Sequence, residues 1–228
     1  MEIVIRDDAV SAANAAAMVV VELLREAIAA RGRATLAVSG GTTPLPMFSA
    51  LASANLEWGS IEIFQVDERI APAGDAARNA AALLAHLIEP ARIPAENVHL
   101  MPVERDDLSA AAAEYAALLE RLAGRPPRID VIHLGLGNDG HTASLVPGDA
   151  ALTQTSALVA ITGEYQGYRR MTLTFPVLDR GGCLVWLISG ADKARALVQL
   201  RHADDTIPAG RVRAQAAVVF ADAAASGA

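Results

Sequence analysis

The chain has 228 residues, of which 53% are hydrophobic and 20% charged, and it carries a formal net charge of -7. Such a composition can bury a large core and excludes a disordered chain. The acidity, without clustered Lys and Arg, argues against a nucleic-acid surface or a polybasic membrane patch, and the length fits one domain spanning 1–228.

The first residues, Met1-Glu2-Ile3-Val4-Ile5, lack a basic segment followed by an apolar one, and no run approaches 18 uncharged apolar residues. A cytoplasmic location is therefore expected. Alanine-rich residues 10–30 repeat with helical period and predict a helix ended by Gly32. Strands are predicted at 35–38, 61–66, 129–134, 183–188 and 217–220. Helices are predicted after Pro44, over 79–88, over 109–123 with Gly124 as its stop, and over 191–200 behind Gly190. Apolar runs alternating with helical segments predict an α/β fold with a Rossmann-like, mainly parallel sheet flanked by helices. The Ala-Ser-Gly tail, 223–228, is expected to fray. Cys183 is the single cysteine and reads as a buried thiol, so neither an internal disulfide nor a cysteine-ligated zinc site is available.

Ligands of open α/β sheets gather beyond the carboxyl ends of the strands, and each of those loops carries unusual residues. Ser39-Gly40-Gly41-Thr42-Thr43-Pro44 follows the 35–38 strand: its glycines admit a ligand to the backbone, its hydroxyls add donors and Pro44 opens a helix. The lysine and spacing of a P-loop are missing. The same stretch is a variant of the nucleophile elbow with Ser39 as nucleophile, but Thr42-Thr43-Pro44 delays the helix that an elbow requires. Asp67-Glu68-Arg69 follows the next strand as a charged loop, with Arg69 able to meet an anionic or carbonyl oxygen. Gly135-Leu136-Gly137-Asn138-Asp139-Gly140-His141 satisfies Gly-x-Gly-x-x-Gly, yet Asp139 would face a pyrophosphate and Pro147-Gly148 cuts the following helix short, against a dinucleotide cofactor. What remains is a histidine on a glycine-rich turn beside an aspartate, a setting suited to a general base. The other four histidines lack it, and none stands at zinc-ligand spacing from His141. Arg170, in the pair Arg169-Arg170, and Lys193, set unfavourably against a helix dipole, add positive charge that an anion would stabilise.

Taken together, Ser-Gly-Gly-Thr-Thr-Pro, Asp-Glu-Arg, Gly-Leu-Gly-Asn-Asp-Gly-His-Thr-Ala-Ser-Leu, Arg-Met-Thr-Leu-Thr and Ser-Gly-x-x-Lys-Ala resemble the motif series of the 6-phosphogluconolactonases, in order and spacing, from about 33 to 212. That family is similar in fold to glucosamine-6-phosphate deaminases and, more distantly, ribose-5-phosphate isomerases. The deaminases carry a glutamate five positions after the loop histidine, where this chain has Val146. It also departs from the usual lactonase pattern at Arg78, before Asn79, and at Val146 itself.

The resemblance implies hydrolysis of 6-phospho-D-glucono-1,5-lactone in the oxidative pentose phosphate pathway, with no cofactor and no metal. It implies that Gly40, Gly41, Thr42, Arg170 and Lys193 hold the phosphate, that His141 activates water with Asp139 or Asp67 orienting it, and that Arg69 or loop amides meet the oxyanion. The alternatives are a deaminase-like aldose-ketose isomerase and a non-catalytic sugar-phosphate sensor. The expected partner is a small sugar-phosphate lactone, not nucleic acid or membrane, and monomer and homodimer both stay open.

Overall fold

The alanine-rich segment after Asp8 becomes the longest helix, α1 (Ala9–Arg31), in the computed structural model, which describes residues 1–227. Asp8 caps it by accepting from the Ser11 amide at 2.7 Å, and Gly32, at φ 73°, closes it in the left-handed conformation that glycine tolerates. Its buried face is mostly small, Ala12, Ala13, Ala16 and Ala17 leading to Val20 and Leu24. Small side chains let the helix axis lie close to the sheet.

That sheet has seven strands. They are β1 (Glu2–Arg6), β2 (Ala34–Val38), β3 (Ile61–Gln65), β5 (Val98–His99), β6 (Val131–Leu134), β9 (Cys183–Ile188) and β10 (Ala217–Asp222), in the order β1-β10-β9-β6-β2-β3-β5. All of its pairings are parallel. Side chains alternate between two cores: Leu36, Val131, Val185 and Leu187 face the α1 side, whereas Ala37, Ile132, Leu134 and Trp186 face the opposite one. With both faces covered, no polar alternation survives in the sequence, as the continuous apolar runs predict.

From β2 the chain builds outward through β3 to β5, then returns through β6 to the other side of β2 and outward to β9 and β10. Neighbouring strands β2 and β6 thus flank a reversal of winding, and the loops leaving their carboxyl ends diverge around a crevice. Among the described residues no helix is long and apolar enough to cross a membrane.

Several elements depart from expectation. Asp67-Glu68-Arg69, expected as a loop, is strand β4 (Asp67–Arg69) of a second, antiparallel sheet ordered β4-β8-β7, with β7 at Val159–Ile161 and β8 at Arg170–Leu173. Strands of three or four residues are too short to display alternation. The 79–88 helix is α only over α3 (Asn79–Leu83), widens to a π-turn at Leu84–Ile88 and ends as α4 (Glu89–Ala91), where Pro90 has no N–H to donate. Residues 109–123 fall within α5 (Leu108–Ala123), capped by Asp107. Ahead of α7 (Ala194–Arg201), Ala191–Lys193 form a 3-10 turn, so Lys193 sits at the helix entrance and not inside it. Instead of fraying at once, the tail forms α8 (Ala223–Ser226), because Asp222 accepts from the Ala225 amide at 2.7 Å and Ala225 is buried; residue 228 lies outside the described residues.

Candidate active site

A cavity of about 460 Å³ opens where β2, β3, β6 and β9 end. Its first wall is the turn after β2, where Gly41 adopts φ 99° and Gly40 packs so tightly on Asn79 that a Cβ there would lie 2.2 Å from the carboxamide. Only glycine allows this approach, which leaves the backbone of Gly40–Thr42 on the cavity wall ahead of α2 (Leu45–Ala52). The Thr43 and Ser189 hydroxyls, 3.3 Å apart, tie the turn to the loop after β9 that brings Lys193 into the cavity, its Nζ 2.8 Å from Asp192.

The loop after β6 doubles back instead of entering a helix: the Gly137 amide donates to the His141 carbonyl at 2.8 Å and the Thr142 hydroxyl to the Gly135 carbonyl at 2.9 Å. This geometry removes the dinucleotide reading. Ala143 is held at φ 52°, an uncommon conformation for a residue with a Cβ and one that such bonding must over-determine. The His141 ring lies directly on Gly137, where a Cβ would sit 2.1 Å from Nδ1.

His141 Nδ1 lies 2.6 Å from Asp139 Oδ1, which also accepts from the His141 amide at 3.1 Å; Asp139 Oδ2 accepts from the Tyr165 hydroxyl at 2.9 Å. Burial works against ionisation of Asp139, but the amide, charge and ring of His141 and the Tyr165 hydroxyl outweigh it, holding the carboxyl below its ordinary value. An ionised Asp139 can only accept, so Nδ1 carries the proton that meets it, and in the neutral ring the lone pair is left on Nε2.

Asp67 is the carboxylate that lines the cavity itself, and it makes no hydrogen bond to the imidazole. Its Oδ2 accepts from the Ser144 hydroxyl at 2.5 Å, while burial pushes its carboxyl up; Ser144 and Arg170 oppose that shift without cancelling it. Arg69 and Arg170 face each other directly across the β4–β8 pair, and both line the cavity. Like charges in such register destabilise a sheet unless an anion lies between them. Among the described residues neither has a carboxylate within 4.0 Å, and Arg170 Nε is buried without a partner. Burial lowers the Arg170 pKa, with Asp67 working against that shift and Arg69 with it.

The cavity thus gathers Gly40, Gly41, Thr42, Asp67, Arg69, His141, Arg170 and Lys193, and Asp139 reaches it through His141. The Ser39 hydroxyl donates to the His133 carbonyl at 3.2 Å, not to an imidazole nitrogen, which disfavours it as a nucleophile. Arg78 turns away to Glu68 and Glu104, so its departure from the lactonase pattern leaves the wall to Asn79. Sequence reasoning missed Gln166 and Tyr165 and assigned no role to Asn79 and Ser189, although both stand in its motif series; the residue pair Gln166-Gly167, a two-residue hairpin signal, was the one clue to Tyr165. Among the described residues, no three His, Cys, Asp or Glu side chains gather as metal ligands would.

The family model of glucosamine-6-phosphate isomerases/6-phosphogluconolactonase matches residues 7–220. A 6-phosphogluconolactonase of Synechocystis is 38% identical over 181 residues, covering 78% of this chain and 75% of that protein. One from Nostoc is 34% identical, covering 90% and 88%. Among solved structures, a 6-phosphogluconolactonase from Shewanella baltica superposes with a TM-score of 0.87 at 29% identity, covering 98% of each chain. By sequence and by fold, the chain belongs to the glucosamine-6-phosphate isomerase/6-phosphogluconolactonase family.

Proposed function

We propose that the chain acts as one α/β domain that hydrolyses 6-phospho-D-glucono-1,5-lactone to 6-phospho-D-gluconate. The observation that carries this reading is the meeting, in one cavity, of a histidine whose Nδ1 is held by an aspartate, two cations without carboxylate partners and a glycine-rich anion cradle. Val146 in place of the deaminase glutamate favours the lactonase over the isomerase branch.

Gly40, Gly41 and Thr42 bind the phosphate through amides and a hydroxyl, and Lys193 and Arg170 add charge. The phosphate anchors the sugar so that C1 stands over His141. Neutral Nε2 takes a proton from water as the water oxygen adds to C1, and the carbonyl oxygen becomes an oxyanion facing Arg69. Collapse re-forms the carbonyl and breaks the bond from C1 to the ring oxygen, which receives the proton from the imidazolium. The new carboxylic acid then ionises and releases one proton. Asp139 stabilises the transient imidazolium. Asp67, bound by the Ser144 hydroxyl on the same wall, has no part in the proton transfer.

The test is acid release from freshly generated lactone, with chelator present. Native protein is expected to accelerate it, and His141→Ala to lower turnover by about a hundredfold or more, the usual contribution of a general base. Near-native turnover in that variant removes His141 from the reaction. Ammonia release from glucosamine 6-phosphate would favour the isomerase branch, and binding of 6-phosphogluconate without hydrolysis would favour a sensor.

A further inference from the structure

Tyr165 has no step in the reaction above, yet it is built into the site from several sides. Its hydroxyl donates at 2.9 Å to Asp139 Oδ2, the oxygen that does not meet the imidazole. Its ring stands edge-to-face on the His141 ring, with centroids 5.4 Å apart and planes at 68°. The Arg170 guanidinium lies 5.2 Å from the same ring centroid, and the Gln166 amide reaches the hydroxyl at 3.3 Å.

The backbone that delivers this ring is stiff. Tyr165 and Tyr168 pair across a two-residue turn, the Tyr165 amide donating to the Tyr168 carbonyl at 2.9 Å and the Tyr168 amide donating back at 3.2 Å. The turn residues Gln166 and Gly167 adopt φ 52° and 82°, the doubly left-handed conformation that matches strand twist in a tight hairpin. The hairpin joins β7 to β8, so the strand that supplies Arg170 also fixes Tyr165.

A carboxylate held by one oxygen alone can rotate about its last torsion and lose its hold on the imidazole. A hydroxyl on the second oxygen fixes the carboxylate plane. Burial and the Asp139 contact both raise the Tyr165 pKa, so its hydroxyl remains a donor across the physiological range.

We infer that Tyr165 is a positioning residue: by clamping Asp139 it holds His141 in the tautomer protonated on Nδ1, leaving Nε2 to accept a proton. This inference rests on His141 being the base. It extends the His-Asp pair to a Tyr-Asp-His chain whose last member arrives from the second sheet.

Tyr165→Phe keeps the ring and removes the one oxygen. Its kcat is expected to fall about tenfold or more, the scale of losing one hydrogen bond to a charged group, with KM within about twofold. In the resting protein, nitrogen NMR of labelled histidine is expected to show one His141 tautomer in the native chain and a mixture in Tyr165→Phe. That readout needs no turnover. Native kcat together with an unchanged tautomer in Tyr165→Phe overturns the inference. So does loss of activity with the tautomer unchanged, which would give the hydroxyl a role other than holding the imidazole tautomer. If His141→Ala is inactive while Tyr165→Phe is native, only the clamp fails; if His141→Ala stays active, the base itself fails.

Discussion

Gly137→Ala probes the placement of the imidazole without touching any group that reacts. Gly137 has no positive φ, so its backbone tolerates alanine; the obstacle is the His141 ring, with Nδ1 at 2.1 Å and Cε1 at 2.3 Å from the new Cβ. Ordinary contact begins at 3.4 Å, so the ring must retreat by about 1.3 Å or the loop must open. Asp139 Oδ1, 2.5 Å from the same Cβ, is displaced with it. A misplacement of about 1 Å at a reacting group can cost on the order of a hundredfold in rate. The expected result is therefore a kcat roughly a hundredfold below native, with KM changed far less because the new Cβ meets His141 and Asp139 and not the phosphate cradle. Steady-state kinetics on fresh lactone, paired with a thermal melt showing a folded protein, measure both. A folded Gly137→Ala protein with native kcat would refute the placement of His141 at the reacting carbon.

Lys193→Ala removes a cation that is partly neutralised by Asp192, so KM is expected to rise about tenfold while kcat stays within about threefold; an unchanged KM would exclude Lys193 from phosphate binding. Inorganic phosphate is expected to raise the melting temperature of the native chain by binding the folded state, and less so in Lys193→Ala, as a thermal scan would show. His133 gives a pH signature: burial lowers its pKa from 6.5 to about 3, so the fold holds it neutral while the unfolded chain takes up a proton below 6.5. Its contribution to stability is complete above pH 6.5 and declines as pH falls toward about 3, amounting to a loss of about 2 kcal/mol between pH 7 and pH 5. Denaturant unfolding at those two pH values should show that extra loss in the native chain and not in His133→Asn; equal losses would contradict it.

The parallel sheet was legible because its strands are buried on both faces and therefore stand out as apolar runs between helices, with glycine stops at Gly32 and Gly124. The site was legible because a ligand-bearing loop needs unusual backbone: Gly40 where Asn79 crowds it, Gly137 where the His141 ring lies on it. Charged Asp67-Glu68-Arg69 read as a loop and not as a strand, since its burial is made possible only by distant partners. Glu68, fully buried, accepts from the amides of Arg69, Asn79 and Ala80 and the Gln65 side chain, and pairs with Arg78. None of those contacts leaves a periodic trace. The choice between Asp139 and Asp67 was likewise closed to sequence, because two carboxylates near one histidine differ only in which oxygen meets which donor. Tyr165 stood 24 positions from His141, without a motif of its own.

A structure of the chain with 6-phospho-D-gluconate bound bears most directly on the meeting of phosphate cradle and imidazole. The phosphate is expected against the amides of Gly40–Thr42 with Lys193 in contact, and the C1 carboxylate within about 3.5 Å of His141 Nε2, the reach of a general base acting on a reacting group. A phosphate seated away from that turn, or a C1 carboxylate remote from His141, would contradict it.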